Sequence, residues 1–177
     1  STGGALKAAM GMPLQPLRRV PRATGELSLP LSIDRGLLEA EFDRALAEVQ
    51  ERWPYAPVLD DAFAAYVCAH LGNERDLARR ISRLHIGELF LVWWAMRSPS
   101  GVAAFLEVYG HDLAKAIACV SSRFPHVDAG TLLQRLMAEL FDGEEPRAVE
   151  FSGFGSLGAW VDVVATQTLL DAARATS

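Results

Sequence analysis

Leu37, Leu38, Phe42, Leu46 and Val49 recur at helical spacing and give one apolar face to a helix over residues 36–53, with Asp34 placed to cap it. Pro54 and Pro57 end that helix. Asp60 caps a second helix reaching residue 71, with Phe63, Tyr66, Val67 and Leu71 inward and Gly72-Asn73 as C-cap and turn. Residues 74–84 read as a charged helix whose Arg75, Arg79, Arg80 and Arg83 fall near one another on an exposed surface. That surface is either a solvated face or a small patch for an anion or a partner. Residues 84–96 are apolar nearly all round and include Phe90, Trp93 and Trp94. Phe90, Trp93 and Trp94 are either core or an exposed docking patch, and core is the expected place, because aromatic surface is costly to leave in water.

Arg97-Ser98-Pro99-Ser100 breaks the pattern, and Ser100 is placed to cap a helix over 102–123 that Pro125 stops. Asp128 caps the next, over 129–141, with Leu132, Leu133, Leu136, Met137 and Leu140 on its buried side. Residues 142–150 form an acidic loop and Ser152-Gly153-Phe154-Gly155 a tight turn; Ser156 then caps a last helix over 157–175. Residues 1–33 interleave four glycines with Pro13, Pro16, Pro21 and Pro30, which forbids a long helix. The pattern therefore predicts an all-α, compact multi-helix bundle. It has a flexible basic tail over 1–33, N-terminal helices over 34–88 and a second helical bundle over 89–177.

Composition fits this picture. Half of the 177 residues are apolar and 22% are charged, enough apolar material for a core. Charge changes the picture more. Residues 1–35 carry five basic and two acidic side chains, whereas residues 36–177 carry 12 basic and 20 acidic ones. A folded part at −8 lacks the usual footprint of a nucleic-acid binder, since phosphate contacts need Lys and Arg. The basic tail is a solvated extension or a docking arm for an acidic partner. No secretory h-region stands at the start, and the most apolar stretch, 89–96, is too short to span a bilayer, so a cytoplasmic address without a membrane partner is expected.

Catalytic patterns are sparse. His70, His85, His111 and His126 are scattered and form neither HExxH nor a Cys/His set at metal-ligand spacing. Cys68 and Cys119 sit among apolar helical residues, where buried free thiols are expected. There is no GxSxG, Walker loop or dinucleotide fingerprint, and the Gly-rich turn at 152–155 lacks a following Lys. The expectation is of an interaction module, not an enzyme, without metal or cofactor.

One order of features is distinctive. Leu89-Phe90-Leu91-Val92 leads a helix, followed by Ser98-Pro99-Ser100-Gly101-Val102-Ala103-Ala104-Phe105, then Tyr109 and Leu113. Next come Asp128-Ala129-Gly130-Thr131-Leu132-Leu133-Gln134 and Leu140-Phe141, and last Phe151-Ser152-Gly153-Phe154-Gly155-Ser156-Leu157-Gly158-Ala159-Trp160, with Asp171 and Arg174 beyond. This order, over about 85 residues, resembles region 2 of bacterial sigma-70-family factors of the extracytoplasmic-function type; residues 36–88 look like the extra N-terminal helices of myxobacterial members.

The resemblance implies a helical bundle that binds the clamp coiled coil of core RNA polymerase and reads the −10 promoter element. It puts Asp128, Thr131, Gln134 and Arg135 on the polymerase-facing helix and Phe154, Trp160, Gln167 and Arg174 on the DNA-facing side. Thr131 and Arg135 stand where the family commonly has acids. Phe154 and Gly158 stand in the turn segment, where the family commonly places Arg, and Asp162 follows Trp160. From 148 to 177 the one basic residue is Arg174, against Glu150, Asp162 and Asp171. On this reading promoter DNA is a doubtful ligand and a protein, the polymerase or another, is the expected partner. The sequence stops where the linker to region 4, the −35-reading helix-turn-helix, would begin. Two functions follow: a sigma-like module of transcription initiation, or a repurposed domain acting as a protein adaptor or regulator.

Overall fold

The computed structural model describes residues 32–57, 61–72 and 77–176. Among them are seven α-helices, one 3-10 turn and no strand: α1 (Ser32–Arg52), α2 (Asp61–Leu71), α3 (Leu77–Arg83), α4 (Ile86–Arg97), α5 (Pro99–Arg123), α6 (Ala129–Phe141), the 3-10 turn Arg147–Glu150 and α7 (Leu157–Ala175). The protein is all-α, as its periodicity predicts. The chain divides into two units, Ser1–Phe90 and Leu91–Ser177, with the division inside α4. Of the tail expected over 1–33, residues 1–31 lie outside the described residues, as do Asp60 and Arg75, whereas Ser32 and Ile33 already belong to α1.

In the first unit α3 packs against both α1 and α2. Leu38, Phe42 and Leu46 of α1 are buried with Phe63, Val67 and Leu71 of α2, as the helical spacing requires. Phe63 is the centre: its ring meets Phe42 edge-on at 5.7 Å and Phe90 edge-on at 5.4 Å, the geometry that aromatic quadrupoles favour. Gly72 ends α2 at φ +65°, a left-handed turn open to glycine at little cost. The orphan carbonyls there are met from α3, where Arg80 donates from Nε to Leu71 O at 2.8 Å and from its terminal nitrogen to His70 O at 3.3 Å. Arg80 therefore leaves the expected surface patch and becomes a helix cap, while Arg79 and Arg83 remain exposed. Helix α1 begins at Ser32, so the backbone of Asp34 lies within the helix and not before it.

In the second unit α7 packs against α5 and α6, and α6 also packs against α5 and the 3-10 turn. Leu132, Leu136 and Leu140 are buried on one side of α6, each stabilising by about 1.5–3 kcal/mol. Phe141 meets Phe105 of α5 edge-on at 4.9 Å. On α7 the buried side is Leu157, Val161, Val164, Ala165, Thr168, Leu169, Ala172 and Ala173, of which the alanines and Thr168 are small and let neighbouring helices approach.

Four local expectations are corrected. The α5 cap is Ser98, not Ser100: Ser98 is extended and accepts the Ser100 N–H at 3.2 Å. Pro99 then occupies the first helical position, where its missing N–H has no partner to lose. Leu133 is 37% exposed, because it lies at the edge of the stripe set by Leu132, Leu136 and Leu140; Met137 is half-buried. Cys119 is exposed while Cys68 is buried, since α5 is long and shows one flank to solvent. The acidic loop contains the 3-10 turn, seated by buried Ala148.

Candidate functional site

Helix α6 is anchored at its start and along one flank. Asp128 sits in extended backbone before it and accepts the Thr131 N–H at 2.9 Å. That contact satisfies one orphan donor and puts a carboxylate at the positive end of the helix dipole. Its far flank is tied to α7: Arg135 donates to Ala172 O and to Thr176 Oγ1, both at 3.4 Å. Thr176 Oγ1 itself donates to Ala172 O at 2.7 Å, so the end of α7 is closed by these two side chains together. Thr131 and Gln134 face outward and are exposed, with Leu133 at the edge of the buried stripe. Of the four residues expected on this helix, then, two present themselves to a partner, Asp128 is engaged as a cap and Arg135 is directed to α7.

The second set is dispersed. Phe154 and Trp160 are half-buried, and Gln167 and Arg174 exposed. Trp160 leans on buried Phe151 with ring centres 5.9 Å apart, so much of its surface goes into packing. Phe154 follows Gly153, whose φ is +81°; the turn is closed by Ser152 Oγ accepting the Phe154 N–H at 3.3 Å. Arg174 lies 3.9 Å from Asp171 on its own helix. Arg147, outside both sets, donates to Thr168 Oγ1 at 3.3 Å and pairs with Glu150 at 3.4 Å. Thr168 is a buried polar residue of α7, and Arg147 thereby ties the 3-10 turn to that helix.

Among the exposed apolar side chains that the sequence does not announce are Leu133 and Val163, the latter 64% exposed. A helical projection of α7 would have found Val163, since Val161, Val164, Ala165 and Thr168 fix the buried side and put 163 opposite them.

Elsewhere the reactive groups are subdued. Burial pushes the Cys68 thiol up to about 12 and the Tyr66 phenol likewise to about 12. His70 Nδ1 is engaged with Tyr66 O at 2.7 Å and His85 lies 3.3 Å from Glu88. Among the described residues no group of three His, Cys, Asp or Glu side chains is placed to hold a metal ion. None of their helices is long and apolar enough to cross a membrane.

Comparison with protein-family models, with curated proteins and with solved structures gave no match.

Proposed function

We propose that the chain is a sigma-factor-like module that binds core RNA polymerase through the outward face of α6. The observation that supports this reading is the α6 surface itself. Exposed Thr131 and Gln134 lie one turn apart on it, and Leu133, 37% exposed, stands at the edge of the buried stripe, on a helix capped by Asp128 and tied at its flank by Arg135. A rigid helix carrying one apolar anchor among polar groups loses little entropy on docking, the economy that preorganised interfaces exploit.

Asp128 is a poor residue for the test, because removing its carboxylate also uncaps the helix. Leu133→Glu combined with Gln134→Ala leaves the cap and the buried leucines in place. This double variant should reduce co-purification with core polymerase at least tenfold at unchanged helix content by circular dichroism. Retention at the level of the unaltered protein would reject the reading.

A second reading, a domain turned to protein adaptation and away from promoter DNA, draws on α7. Its exposed charges are Asp162, Asp171 and Arg174, and the arginine stands beside Asp171. Such a face offers little to a phosphate backbone, whose binding depends on cations that release counterions.

A further inference from the structure

The outward side of α7 has a pattern of its own. Ala159, Val163, Thr166 and Leu170 follow one another at intervals of four, three and four residues, the spacing of seam positions in helix-on-helix packing. Ala159 and Thr166 are exposed, Val163 is 64% exposed and Leu170 is half-buried. The buried side of the helix, built on Val161, Val164, Ala165, Thr168 and Leu169, already packs against α5 and α6, so the second stripe has no role in the core of its unit. Small and β-branched side chains along such a seam let another helix come close.

The charges beside the seam select the partner. Asp162 flanks it on one side and Asp171 on the other, and both are exposed. The one basic residue of α7, Arg174, lies 3.9 Å from Asp171. The whole unit follows the same sign, with six Lys and Arg against ten Asp and Glu over residues 91–177. Charge complementarity at a rim steers association and excludes partners of like charge.

We infer that the outward face of α7 is a docking surface for an amphipathic helix of another protein, one with an apolar seam flanked by Lys or Arg. The inference extends the protein-interaction reading to a second face and does not use the α6 surface. Nucleic acid fits it poorly, for want of cations; a second copy of the chain fits it poorly too, because it would bring Asp162 and Asp171 against acids of the same sign.

The test places a photo-crosslinking benzoylphenylalanine at position 163 of the full chain in its native cells, and the crosslinked segment is sequenced. That segment is then synthesised as a peptide and titrated against the purified full chain and two variants. The expected result is a helical segment rich in Lys and Arg whose affinity falls at least tenfold with Val163→Glu and less than twofold with the α6 variant Leu133→Glu. Capture of nucleic acid, of a second copy, of an acidic segment or of nothing overturns the inference. So does a basic peptide that binds Val163→Glu as well as the unaltered protein. The polymerase-docking reading is tested apart, by co-purification of the Leu133→Glu, Gln134→Ala variant, so its failure leaves this titration unchanged and the two failures are distinct.

Discussion

Cys68 and Tyr66 lie two residues apart in α2 and are held neutral for the same reason, removal from water. Burial raises both from 9.0 and 10.0 to about 12. The folded state keeps these protons where the unfolded chain releases them. Their contribution to stability is therefore whole below pH 9 and is lost as the pH climbs from 9 toward 12. The loss approaches about 1.4 kcal/mol per pH unit for each group that titrates only in the unfolded chain, and is smaller for Tyr66, which is not fully shielded. Denaturant titrations between pH 8 and 11 should show falling stability, and Cys68→Val should flatten the early part of that fall. An equal slope in the variant would locate the alkaline sensitivity elsewhere. The Tyr66 Oη is in addition buried without a hydrogen-bond partner, a cost of about 1–3 kcal/mol.

At the scale of elements, the start of α5 comes close to the backbone at the end of α4. A Cβ built on Gly101 would stand 2.3 Å from the backbone carbonyl carbon of Trp94 and 2.5 Å from the Ala95 nitrogen. Backbone cannot swing aside as a side-chain tip can, so Gly101→Ala should destabilise the second unit by about 1–3 kcal/mol. Gly110, in the same helix, would bring its Cβ no closer than 3.9 Å to Leu106, and Gly110→Ala should stabilise by about 0.5–1 kcal/mol through propensity alone. Thermal melts of the two variants test the contrast; melting temperatures moving together would exclude the close approach as its cause.

These elements also show what a sequence can and cannot disclose. The stripes of Leu38, Phe42 and Leu46 and of Leu132, Leu136 and Leu140 are periodic and strongly apolar, and they lead directly to the buried faces. So do the Asp128 and Ser156 caps, where one side chain and one helix start lie side by side. The choice between Ser98 and Ser100 was harder, because both are good caps and Pro99 between them decides in favour of the first. What stayed hidden is non-local. Nothing near position 80 in sequence says that Arg80 will close α2, nor does anything near 135 say that its guanidinium will reach Ala172. The exposed residues of the α6 face follow from resemblance alone, and the exposure of Leu133 depends on how the helix packs against its partners.

For the whole molecule, electrostatics sets the main expectation. The net charge of −5 is the sum of a basic beginning and a long acidic remainder. Cations that could meet a phosphate backbone in the second unit are partly engaged: Arg135 with the end of α7, Arg147 with Thr168 and Glu150, Arg174 beside Asp171. The protein should show no measurable affinity for single-stranded −10-like oligonucleotides at physiological salt, as read by fluorescence anisotropy. Sub-micromolar binding that weakens steeply with added salt would reverse that expectation.

The guanidinium of Arg80 has one more consequence. By gripping the last carbonyls of α2 from within α3, it holds the two helices in register through a side chain. Arg80→Lys, which exchanges the planar fork for a single point of charge, should loosen that register and lower the melting temperature of the first unit without altering the net charge at all.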